Sequence, residues 1–315
     1  MMSNSAKSWL RLYSDKLNLR PKFPVATKLL PTLLTSVAWA KRKPMPCDPH
    51  EIAGVLKDAG SGLQDKIVHN LGNYTVALLG ISDHPERLEL AGTGTLMAID
   101  GAHYILTARH VWDEVLAPAD HVGITLKPDV NHRYSNPSRD FTPVGLPKPG
   151  EWNEWGPDLI LLRIPGECVG TIGAYRSFWN PVRRVDIHAE GIEVMVLMGT
   201  PAELGTIADS HADLQITGMY LGPEKLQHMG GFDYLDYEIE LKVGLPRHFG
   251  GVSGGGVWRV WVFCSPETGE IDWKMSFHGV AFYQLDIGKN PTIIRCHGPE
   301  SARAVLHALT PQPKE

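Results

Sequence analysis

From Asn73 onward the chain alternates short apolar stretches with Gly, Pro, Asn and Asp, a pattern that predicts short β-strands joined by turns. The stretches run over 74–81, 92–99, 104–107, 159–164, 192–198, 237–243, 257–263, 277–283 and 292–295. In one of them Tyr237, Ile239, Leu241 and Val243 alternate with Glu238, Glu240 and Lys242, as expected of a strand with one face in water. Pro137, Pro143, Pro147 and Pro149 make residues 136–150 a loop, because proline cannot donate to an internal sheet or helix ladder. A second irregular stretch, 165–184, divides two strand-rich halves of comparable size, about 70–165 and 185–297. After Gly298-Pro299, residues 300–309 place Ala302, Val305, Leu306 and Leu309 on one helical face, which predicts a closing helix with Pro in its first turn.

At 315 residues and 43% apolar content the chain has enough material for a substantial core. Its net charge of −5 gives no electrostatic reason to expect a nucleic-acid partner. The distribution is uneven. Residues 1–43 hold nine Lys or Arg against the single acid Asp15, so this segment is +8 and the remainder −13. Residues 1–68 therefore read as a basic N-terminal extension, disordered or weakly helical, regulatory, or arising from an early start, whose removal to residue 60 should leave a folded domain. An alternative is a secretory signal, since Lys28 precedes an apolar run ending in Ala38-Trp39-Ala40. That run is too short to span a bilayer and is interrupted by Pro31, Thr32 and Thr35, so no membrane span is expected.

Cys47, Cys168, Cys264 and Cys296 form no C-x-x-C pair and lack the histidine spacing of a zinc site, so no metal or other cofactor is expected. An even count permits disulfides, and cysteines this scattered fit buried free thiols equally. The reading favours a reducing, cytoplasmic location, with export as the alternative if a signal is present.

Three residues carry candidate chemistry. Ser253 stands in Phe249-Gly250-Gly251-Val252-Ser253-Gly254-Gly255-Gly256-Val257, where glycines on both sides permit a sharp turn and a close approach of backbone N–H groups to a bound carbonyl. The segment also matches G-x-S-x-G, but that elbow needs a helix after the serine and then Asp and His in order, and a strand follows here. His110 follows the apolar run 104–108 in Leu106-Thr107-Ala108-Arg109-His110-Val111, and Asp158 heads the aliphatic strand Leu159-Ile160-Leu161-Leu162. The order His, Asp, Ser has gaps of 48 and 95 residues, which puts the first two on one half and the serine on the other.

These segments resemble those of the trypsin-like serine proteases over about residues 70–309. The resemblance implies an all-β fold of two antiparallel six-stranded barrels with a C-terminal helix. The protease domain would span 69–310, with the first barrel at about 70–165, the second at about 185–297 and the helix at about 299–309. It implies a serine endopeptidase in which Ser253 attacks, His110 accepts its proton, Asp158 orients the imidazole, and the N–H groups of Gly251 and Ser253 form the oxyanion hole. Arg109 replaces a small residue of the family. Val252 replaces an Asp that pairs with a new N-terminus in many secreted members, so the chain looks closer to intracellular and HtrA-like bacterial members, without a PDZ module. Counting back from Ser253, Arg247 and His248 fall near the specificity pocket, which would then oppose Lys or Arg at P1 and favour acidic or small uncharged residues unless Asp233 or Asp236 folds in, the alternative being that Arg247 is a solvated loop residue; Tyr283 and Gln284 border the cleft. The expected partners are a protein or peptide substrate and a regulatory protein. The alternatives are an esterase using the same triad and an inactive protease-like binding module.

Overall fold

The computed structural model describes residues 49–57, 62–83, 86–127, 132–145, 157–181, 191–208, 211–241, 245–265, 267–307 and 309. The basic segment 1–43, the Ala38-Trp39-Ala40 ending and Cys47 lie outside the described residues.

The protein is predominantly β. Its first sheet comprises β1 (Thr75–Asp83), β2 (Glu86–Ile99), β3 (Ala102–Thr107), β4 (His121–Lys127), β5 (His132–Pro137), β6 (Thr142–Gly145) and β7 (Ile160–Arg163), in the order β5-β4-β1-β2-β3-β7-β6. The second comprises β8 (Ile192–Gly199), β11 (Thr217–Tyr220), β12 (Glu224–Met229), β13 (Phe232–Ile239), β14 (Gly256–Cys264), β15 (Ile271–Leu285) and β16 (Thr292–His297), in the order β11-β8-β14-β15-β16-β13-β12. Between β8 and β11, β9 (Thr206–Ala208) and β10 (His211–Asp213) pair as a separate ribbon. Each sheet thus has seven strands where six were expected, and one curls into a half-barrel. Among the described residues the pairings of each sheet run from edge to edge without a ladder joining the two edges.

The prolines that read as a loop over 136–150 do not prevent β6. Pro143 lies opposite Leu162 on an edge strand that pairs only with β7, and Pro137 ends the other edge, β5, so neither removes a bond from the sheet interior. The stretch 165–184 likewise contains the third helix in chain order, α3 (Gly166–Gly173), which buries Cys168 and Ile172. β13 begins at Phe232, earlier than the alternation at 237–243 suggested, because a hairpin through Gly230-Gly231 pairs it with β12.

Two helices occupy part of the segment expected to be an extension, α1 (Pro49–Lys57) and α2 (Leu63–Gly72). Ile52 and Leu56 of α1, and Leu63, Ile67 and Leu71 of α2, recur every four residues on one face and are buried. They join a core cluster with Met97 and Leu106 of the first sheet, Trp258, Val260 and Val262 of the second, and Val305. Each such side chain contributes roughly 1.5–3 kcal/mol on burial. The boundary expected at residue 68 therefore falls inside a helix of the core.

The closing helix α4 (Pro299–His307) buries Ala302 and Val305, and Leu306 packs beside them. Its first turn is capped from another strand: Asp233 of β13 accepts the N–H of Glu300 over 3.0 Å and that of Ser301 over 2.6 Å. Cys168 and Cys296 are buried free thiols. No helix among the described residues is long and apolar enough to cross a membrane.

Candidate active site

β3 and β7 pair antiparallel with Thr107 opposite Ile160, so the chain leaving Thr107 and the chain entering Ile160 share one end of the sheet. His110 and Asp158 meet there. The imidazole Nδ1 lies 2.5 Å from Asp158 Oδ2, and the His110 backbone N–H donates to Oδ1 over 2.9 Å. The Asp158 side chain is 4% exposed and that of His110 25%. A carboxylate can only accept here, so Nδ1 carries the ring proton and Nε2 of the neutral imidazole is left as an acceptor. Burial opposes the charged form of His110, but the hydrogen bond and charge of Asp158, aided by Glu114, outweigh it and hold the pKa above its ordinary 6.5.

The backbone N–H of Asp158 is bound as well. It donates over 2.9 Å to Nε2 of His297, the last residue of β16 in the other sheet. His297 is fully buried, and burial pushes its pKa down to about 4 against the opposing charges of Asp158 and Asp233. It is therefore a neutral acceptor at Nε2. Its ring stacks on Phe282 at a centroid distance of 4.3 Å and an interplanar angle of 23°.

The Ser253 loop docks on β2. Thr93 donates its N–H to the Ser253 carbonyl over 2.8 Å and its hydroxyl to the Gly251 carbonyl over 2.7 Å. The Gly250 carbonyl accepts from Ala202 N and that of Val252 from Gly255 N, each over 2.8 Å, so every carbonyl from 250 to 253 is held. On the donor side Val252 N binds the Phe249 carbonyl. The N–H groups of Gly251 and Ser253, and of Gly250 at the exposed end, have no acceptor among the described residues. Gly251 and Gly254 adopt φ of +85° and +87°. A Cβ at Gly254 would stand 2.0 Å from both Thr107 Oγ1 and the Thr93 carbonyl, so only glycine fits that contact.

A Cβ at Gly92 would lie 2.7 Å from both the Ser253 carbonyl and Val111 Cγ2, which places the serine loop and the chain just after His110 side by side. Ser253 Oγ donates over 3.5 Å to the Phe282 carbonyl, and among the described residues no hydrogen bond joins it to His110.

Beside Ser253 lies a cavity of about 280 Å³, lined on its apolar side by Phe249, Val252, Phe282, Ile287 and Ile294. Tyr283 and Gln284, expected at the cleft, line it; Arg247 and His248 do not. Both are exposed, and their backbone N–H groups donate to Glu203 over 2.8 and 3.1 Å. Neither alternative acid enters either, since Asp233 caps α4 and Asp236 pairs with Arg295 at 2.7 Å. Val252 is buried against Gly199.

Thr93 and His297 were not singled out in the sequence for these contacts. The Gly92-Thr93-Gly94 spacing marks a close approach of backbone to Thr93, but nothing local shows that His297 faces Asp158. Among the described residues no group of three or more His, Cys, Asp or Glu is placed to hold a metal.

No protein-family model matches the chain, and no curated protein matches it. A solved structure does, from work on aromatic interactions in the coupled folding and binding of the intrinsically disordered VPg protein of Sesbania mosaic virus. The identity is 14%, the match covers 76% of this chain and 92% of that one, and the TM-score is 0.41. A likeness of that degree carries no argument about this protein.

Proposed function

We propose that the protein is a serine endopeptidase of the trypsin-like, double-barrel type, with Ser253 as nucleophile. The observation that carries this reading is the buried carboxylate of Asp158 bound at 2.5 Å to His110 Nδ1, beside a serine loop that leaves two N–H groups unengaged. In the reaction the Ser253 hydroxyl gives its proton to His110 Nε2 as Oγ bonds to the peptide carbonyl carbon. Asp158 holds the ring in the tautomer that can accept and stabilises the imidazolium. The Gly251 and Ser253 N–H groups receive the developing oxyanion, one such donor being worth roughly 3 kcal/mol. The C–N bond then breaks, the amine leaves with the proton from Nε2, and water releases the acyl group by the reverse sequence.

The cavity beside Ser253 supports an apolar P1 side chain, because no charged residue among the described ones lines it. This differs from the acidic or small uncharged preference expected had Arg247 lined the pocket.

The hydroxyl's bond to Phe282 is also what an inactive binding module would present. A fluorophosphonate probe separates the two. The enzyme reading expects labelling at Ser253, lost in Ser253→Ala and in His110→Ala, with turnover falling roughly 10⁶-fold in either variant. An unlabelled, folded wild-type protein would sink the enzyme reading, and ester cleavage without peptide cleavage would replace it with an esterase.

A further inference from the structure

We propose that His297 is a positioning residue for the His110–Asp158 pair: its imidazole Nε2, on the last strand of the second sheet, holds the Asp158 backbone and so sets how the carboxylate meets His110. The catalytic consequence rests on the endopeptidase reading; the hold on Asp158 does not.

The hydrogen bonds of Asp158 account for its placement. Its two carboxylate oxygens accept from His110 N and Nδ1, and its N–H donates to His297. The residue sits between two anchors, one on each sheet, with no water-facing side to relax into, since it is 3% exposed. A buried N–H without an acceptor is strongly disfavoured, so the position of His297 Nε2 constrains the Asp158 backbone. Two other features fix His297 itself. Its ring stacks on Phe282 and lies 5.1 Å from the ring of Tyr234, and its backbone is in the β16 ladder opposite Tyr234 and Val280.

The same strand neighbour connects to the nucleophile, because the Phe282 carbonyl accepts the Ser253 hydroxyl. His297 thus links the carboxylate on one sheet with the segment facing the serine on the other. The charged groups facing its ring are Asp158 and Asp233. A second histidine that holds the Asp158 backbone N–H is distinct from the proton-accepting role of His110: it touches no reacting atom.

The test uses the full chain labelled with ¹⁵N. In the wild-type protein a scalar coupling across the hydrogen bond from the Asp158 amide nitrogen to His297 Nε2 is expected, together with a low-field Nδ1–H resonance from His110 and a His110 midpoint above 6.5. His297→Phe keeps a stacking ring and removes the acceptor. In it the His110 midpoint should fall and the low-field resonance broaden, with kcat reduced and KM retained. His297→Gln restores an acceptor and should recover both signals. A folded His297→Phe protein with an unchanged His110 midpoint and resonance would overturn the proposal. Should that variant not fold, absence of the coupling in wild-type protein overturns it by itself. Fluorophosphonate labelling of the same samples keeps the two ideas apart: the coupling and the His110 shift without labelling would sink the endopeptidase reading and leave the hold on Asp158 standing.

Discussion

Burial of His297 makes a prediction about acid stability that is independent of catalysis. The unfolded chain takes up a proton on this residue near pH 6.5, whereas the folded protein refuses it until about pH 4. A histidine depressed in this way contributes stability that is complete above 6.5 and is lost as pH falls towards 4. At about 1.4 kcal/mol per pH unit the loss reaches roughly 3 kcal/mol, a large part of the roughly 5–15 kcal/mol typical of a domain. His110 has the opposite sign, since its raised pKa contributes stability present below 6.5 and lost as pH rises through the folded value. Asp233 is held below 3.8, although burial alone would raise it, by bonds from Ser301 and Glu300, so its contribution is lost only at lower pH. His278 is depressed by burial and by Arg259, and acts in the same direction as His297. Comparison with His297→Gln isolates the residue of interest. Urea unfolding followed by tryptophan fluorescence at pH 7, 6, 5 and 4.5 should show wild-type stability falling more steeply than that of the variant. Parallel losses in the two proteins would refute the argument that His297 is buried and neutral.

Thr93→Val removes the hydroxyl that holds the Gly251 carbonyl and should lower kcat by up to roughly 100-fold while Thr93→Ser retains it; wild-type kcat in the valine variant would show that the loop keeps its shape without Thr93. In the full chain Ile52→Ala combined with Leu56→Ala should lower stability by at least about 2 kcal/mol; an unchanged midpoint would mean that α1 adds nothing. Matched peptides varied at P1 should be cleaved best after apolar residues, and Arg247→Ala should leave the ranking unchanged; a tenfold loss of cleavage after Asp or Glu in that variant would place Arg247 in the pocket.

The β class, most strands and the closing helix were legible because each rests on local patterning. Alternation and turn residues mark β1 to β3, β7, β8 and β14 to β16, and the apolar face at Ala302 and Val305 marks α4. The two N-terminal helices carried a readable signal as well, the four-residue spacing of Ile52 with Leu56 and of Leu63, Ile67 and Leu71, which the basic charge nearby obscured. Pro143 misled for a physical reason: a proline excludes an internal strand, but whether a strand is at an edge depends on partners that the local sequence does not name.

The chemistry divides in the same way. Residue type and order determined that His110, Asp158 and Ser253 were the candidates, since glycines about a serine and an acid at the head of an aliphatic strand are local features. Register decided that two of them touch, because Thr107 opposite Ile160 brings the ends of β3 and β7 together. Only the tertiary structure withdrew Arg247 and His248 from the cavity, where Glu203 of a separate turn binds their backbone N–H groups. It alone brought Thr93 to the serine loop and His297 to Asp158, 139 residues away, since a hydrogen bond between distant segments is decided by how two sheets pack and leaves no mark in the residues on either side.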